Sequence, residues 1–157
     1  MHRPSFVNKL VHIIEAKDYG SAGIDGDSLD TSKIHRACFV IGFGAITGDS
    51  VLKFYAGATN GTKTTALAFN YRFGGGDYKA TDADTLGSDT AVASTGLTLT
   101  AATFDHRMMT VEFNQEDLPA GKPFLTLEIN STATVMLVSS VGICTPLFGG
   151  QTAPAVI

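Results

Sequence analysis

The chain has 157 residues, 44% of them hydrophobic, and 15 acidic against 11 basic side chains, for a net charge of −4. That length supports one domain burying roughly 70% of the surface its unfolded chain would expose, and the composition excludes a disordered chain. The basic residues are scattered from Arg3 to Lys122 without a run, which argues against a nucleic-acid binder; no apolar stretch is long enough for a membrane-spanning helix.

In chain order, the N-terminal MHRPSFVNKLVHIIEAKD puts a charge inside its short apolar stretch, unlike a secretory signal. FVNKLVHIIEA reads as the first strand. SAGIDGDSLD follows, with Asp25, Asp27 and Asp30 set among Gly23 and Gly26. As a calcium loop it fails twice: Leu29 stands where a third oxygen ligand belongs, and Arg36 where the bidentate Glu belongs. It is predicted to be a turn in which Asp side chains bond their own backbone. ACFVIGF is apolar on both faces, as a strand covered on both sides would be. The GFGAITG text lies in this strand and opens no helix, so it is no dinucleotide fingerprint.

VLKFYAG is the next strand, bounded by ITGDS and ATNGTK, where Asn60-Gly61 signals a hairpin. TTALAFNYRF alternates, with Leu67, Phe69, Tyr71 and Phe73 on one side and Ala68, Asn70 and Arg72 on the other. Residues 74–95 are polar and glycine-rich, a long connection of the kind that is functional or mobile. GLTLTAA is a weaker strand. RMMTVEFN and PFLTLEI alternate, separated by NQEDLPAGKPF, whose Pro119, Gly121 and Pro123 interrupt regular structure. VMLVSSVGIC is again apolar on both faces.

These segments define about eight strands, and the expected fold is an all-β, jelly-roll-like antiparallel sandwich over residues 1–146. The inward set is expected to include Phe39, Ile41, Leu67, Phe69, Met109, Val111, Phe113, Leu125, Leu127, Val138 and Val141. Residues 147–157 read as an extended arm, and Leu147, Phe148, Val156 and Ile157 are its candidate contacts with another subunit or a partner surface. The alternative is that the arm folds back on its own sandwich.

No catalytic set emerges. The four histidines, His2, His12, His35 and His106, lack zinc-ligand spacing. The loop aspartates Asp77, Asp82, Asp84 and Asp89 read as solvated, and NGT and NST as chance glycosylation patterns without a signal. Cys38 and Cys144 lie in apolar runs and are expected to be reduced core residues. The expectation is a non-enzymatic protein without metal or cofactor.

Residues 18–73, with their GIDGDS, FGAITGDSVLKFYAGAT and KTTALAFNYRF segments, resemble a group of tailed-bacteriophage virion proteins; the likeness continues more loosely afterwards. The resemblance implies a head decoration, or cement, protein. Such a protein is made in the bacterial host, binds the major capsid protein on the capsid exterior and stabilises the head as a homotrimer, with no nucleic-acid or membrane partner. Other readings are a head-fibre base, a tail or baseplate module, or a carbohydrate-binding sandwich. The last needs an exposed aromatic platform, and the chain has no Trp.

Overall fold

The structure, a computed structural model, describes residues 8–74 and 85–147. Its strands are β1 (Lys9–Asp18), β2 (Ile24–Asp25), β3 (Leu29–Asp30), β4 (Ile34–Ile46), β5 (Ser50–Gly57) and β6 (Thr65–Leu67). They continue with β7 (Phe69–Phe73), β8 (Thr90–Val92), β9 (Leu97–Leu99), β10 (Met108–Asn114), β11 (Phe124–Ser131) and β12 (Met136–Pro146). One helical turn, α1 (Ala101–Phe104), precedes β10.

The strands form two antiparallel sheets of six. Sheet A has the order β1-β12-β4-β10-β7-β8. Sheet B is built on the β11–β5 pair; β2 and β3 share the far side of β11, and β6 and β9 share the far side of β5. The first strand lies beside the last, and successive strands pass back and forth between the sheets, so the connectivity is that of a jelly roll.

The strand count is twelve, not about eight, and each extra strand has a local cause. TTALAFNYRF is two strands: β6 pairs with β5 in sheet B, β7 pairs with β10 in sheet A, and the chain changes sheets at Ala68. The long connection contributes β8 against β7. GIDGDSLD, expected to be a turn, is an interrupted edge strand. Ile24 and Asp25 pair with Ile129 and Glu128, and Leu29 and Asp30 pair with Leu125 and Phe124.

In the gap between β2 and β3 the segment ties the two sheets together. The Gly26 N–H donates to Leu127 O at 2.8 Å in sheet B, and the Asp27 N–H donates to Ile13 O at 3.0 Å in sheet A. The β1–β12 register breaks between His12 and Ile14, at the residue whose carbonyl takes that bond. The approach is close enough to require glycine: a Cβ on residue 26 would sit 2.7 Å from Ile13 Cγ2.

The core lies between the sheets. Phe54 of sheet B meets Phe39, Phe113 and Phe69 of sheet A at ring-centroid distances of 5.0, 5.0 and 5.1 Å. Of the expected inward set, Phe39, Ile41, Leu67, Phe69, Met109, Val111, Phe113, Leu125, Leu127 and Val138 are buried. Val141 is not; it is 38% exposed. The period of two forces this, because Val138 and Ser140 face inward and residue 141 must then face out. Ser140 brings a buried hydroxyl that finds no hydrogen-bond partner among the described residues.

Two stability outcomes follow from this packing. Phe39→Ala and Phe54→Ala should each cost about 3–5 kcal/mol in a denaturant titration; a loss under about 1 kcal/mol would contradict the packing described. Ser140→Ala should be neutral or stabilising by up to about 1 kcal/mol, because it removes a hydroxyl desolvated without compensation. A clear destabilisation would mean that this hydroxyl has a partner.

Candidate functional site: the outer face of sheet A

The two outer faces differ. That of sheet B is partly covered by the loop between β5 and β6. Gly57 allows the loop to turn back, since a Cβ there would lie 2.0 Å from Thr62 O. The Gly61 N–H donates to Ser28 Oγ at 3.1 Å, and Ser28 Oγ lies 2.6 Å from Thr126 Oγ1. Beside them Lys63 Nζ binds Asp25 Oδ1 and Oδ2 at 2.8 and 2.9 Å and also binds Glu128 Oε2. Glu128, buried though it points away from the core, accepts further from Asn130 Nδ2 at 2.7 Å and from Tyr55 OH at 3.4 Å.

This cluster is a clamp. Burial alone would lower the Lys63 pKa, but its hydrogen bonds to Asp25 and Glu128 and their charges outweigh that and raise it. Asp25, which the sequence placed in a turn, is therefore occupied by an ammonium group. Among the described residues no group of three or more His, Cys, Asp or Glu side chains is arranged to hold a metal ion. Asp89 pairs with Arg72 Nε at 2.7 Å; Asp77, Asp82 and Asp84 lie outside the described residues.

The outer face of sheet A is open and largely apolar on one side. Cross-strand pairing sets its rows. One row runs Leu10, Ile143, Cys38, Glu112 from β1 to β10; the next runs His12, Val141, Val40, Thr110, Arg72 from β1 to β7. Further up, Met108 lies opposite Gly42, and Leu137 Cβ comes within 2.8 Å of where a Cβ on Gly44 would be. Leu10, Met108, Val141 and Leu137 are 62%, 40%, 38% and 37% exposed, an apolar ridge carried by β1, β12 and β10. This is what the two-face apolar runs ACFVIGF and VMLVSSVGIC become: one face packs on sheet B, and the other has no described segment over it.

Beside the ridge lies a groove of about 890 Å³, with Cys38, Val40 and Ile143 on its floor and Arg72, Asp89 and Leu86 among its walls. Its cations are matched by neighbouring carboxylates. Arg72 pairs with Asp89, Arg36 Nη1 lies 3.7 Å from Glu112 Oε2, and Asp117 Oδ2 accepts from the Asn114 N–H at 2.7 Å.

Cys38 and Cys144 sit on neighbouring strands but point to opposite faces, Cys38 to the groove and Cys144 to the core, and both are free thiols. Burial pushes the Cys144 thiol up to about 11. Burial, with Glu112 alongside, also raises Cys38. Both are therefore protonated at neutral pH and poor nucleophiles. Leu147, a sequence-predicted contact residue, is 37% exposed, and its N–H donates to Lys33 O at 3.0 Å. Phe148, Val156 and Ile157, the other three, lie outside the described residues. The sequence reading missed Leu10, Met108, Leu137 and Val141; strict alternation in β10, with Met109 inward, was the signal that marked Met108.

The fold and face together define a jelly-roll sandwich with one open apolar sheet surface. Comparison with known protein families, curated proteins and solved structures finds no match to this chain.

Lys63→Met should cost about 1–2 kcal/mol at neutral pH, since it leaves the buried Glu128 carboxylate without its cation while part of the site still reaches water. A raised folded-state pKa stabilises fully below the unfolded value and loses that contribution as pH rises through the folded one. The gap between wild type and variant should therefore narrow above about pH 10.4. Denaturant titrations at neutral and alkaline pH measure both; an equal gap throughout would remove the ammonium from the account.

Proposed function

We propose that this chain is a structural virion protein of a tailed bacteriophage. It binds the major capsid protein on the outside of the head as a trimeric decoration protein and stabilises the particle by surface contact. The observation that carries the reading is the uncovered ridge of Leu10, Met108, Leu137 and Val141 on sheet A. Large apolar side chains on the flat face of a sheet mark a protein contact, and each is worth roughly 1.5–3 kcal/mol when fully buried.

The resemblance of residues 18–73 to virion proteins supports the same assignment. The carbohydrate-binding reading is weaker: Tyr71 packs against the core and no tyrosine lines the groove. With Arg72 and Arg36 already paired to carboxylates, the groove offers little to hold a sugar without aromatic stacking.

Cryo-microscopy of the virion tests the location. Density for the chain on the capsid exterior, with the ridge against capsid protein, is the expected result. Density at a fibre base, tail or baseplate would overturn the head assignment, and absence from the particle would overturn the virion reading. The paired substitution Leu137→Asp with Val141→Asp tests the ridge. Both residues are partly exposed, so folding should survive, while binding to particles lacking the protein should fall at least about tenfold. Unchanged binding would exclude this ridge as the contact.

A further inference from the structure

We propose that the groove on sheet A is a docking site for an uncharged apolar peptide, and that its occupant is residues 151–157 of the same chain. Four observations lead there, none of them resting on the virion assignment.

The first is place. The described part of β12 leads to Leu147, which is held to Lys33 at the end of the sandwich where β4 begins. The groove opens at that same end, where Asn114, Asp117 and Cys38 contribute to its lining and Ile143 lies only four positions before Leu147.

The second is reach. Seven extended residues span about 23–25 Å, while the groove floor crosses three strand spacings, from Ile143 on β12 to Arg72 on β7, about 14 Å. Gly149 and Gly150 would allow the reversal this path requires.

The third is chemistry. Arg72 is paired with Asp89 and Arg36 with Glu112, so the cations of the groove are already neutralised, and Asp117 is bonded to a backbone N–H. A negatively charged ligand would have to break one of these pairs to reach a cation. The segment 148–157, FGGQTAPAVI, carries no charged side chain and ends in Ala155, Val156 and Ile157, which suit a floor of Val40, Ile143 and Cys38.

The fourth is the tether. A short covalent link presents the segment at an effective concentration on the order of millimolar, which a second copy does not match in dilute solution. The arm then covers the groove and leaves the neighbouring ridge for contact with a partner.

Cys38 on the groove floor provides the probe. Full-length chains carrying Val156→Cys, Ala153→Cys or Ile157→Cys are oxidised across a range of protein concentrations. Non-reducing electrophoresis and peptide mapping then locate the bond. A disulfide within one chain from Cys38 to the introduced thiol, at a yield independent of concentration, is expected for at least one variant. Disulfides joining two chains would make the occupant a second copy and overturn the proposal; no disulfide at any of the three positions would overturn it as well.

A second measurement leaves the groove untouched. In the full-length chain with Val156→Asp and Ile157→Asp, alkylation of Cys38 by iodoacetamide at alkaline pH should be at least about tenfold faster than in wild type. The buried Cys144 serves as the internal reference. Equal rates in the two proteins would mean that the arm does not cover the groove.

Discussion

Phe54 is the residue on which the rest of the sandwich depends. It is the single ring that sheet B places among three from sheet A, and each contact is an offset or edge arrangement rather than a flat stack. Two sheets held together over such a cluster have little freedom to slide, because interiors are close-packed and a shifted ring leaves a void. The registers of β4, β5, β7 and β10 are thereby fixed relative to one another across the layer. Every outward residue follows from that: with Phe39 inside, Cys38 and Val40 face the groove, and with Met109 inside, Met108 joins the ridge.

The edges complete what the rings begin. A sandwich with free edges is open to pairing with other chains, and here β2 and β3 serve both sheets from one interrupted strand. Gly26 and Asp27 donate in opposite directions, to Leu127 and Ile13. The Lys63 clamp then fastens the loop after β5 onto Asp25 of that same strand and onto Glu128. The acidic, glycine-containing stretch that looks like a cation loop is thus a strap between layers, with a lysine in the place of a metal.

The two outer surfaces are consequently unequal. Sheet B presents polar groups bonded to one another and partly hidden under a loop. Sheet A presents Leu10, Met108, Leu137 and Val141 with no described segment over them. Such an asymmetry leaves one apolar face for contact, since a second would compete with the first for partners. The groove beside the ridge differs again: both arginines at its rim are paired with carboxylates, and Asp117 is bonded to the Asn114 N–H.

Alternation by itself determined most of the strands and their inner faces. Leu67 to Phe73, Met109 to Phe113 and Leu125 to Ile129 read correctly because a half-buried strand must repeat every two residues. The runs ACFVIGF and VMLVSSVGIC also signalled a surface apolar on both sides. Local pattern could not say which valine of VMLVSSVGIC faced out: Val138 and Val141 look alike in isolation, and pairing with Ile14 and Ile41 puts Ser140 inside. Nor could it say that TTALAFNYRF changes sheets at Ala68, since both halves keep the same inward phase. GIDGDSLD has the composition of a turn, and its strand character depends on partners about a hundred residues away on β11. The ridge, the groove and the clamp likewise join residues distant in the chain. Periodicity is written in neighbouring residues, whereas register, and the surfaces that register assembles, is decided only when the two sheets close on Phe54.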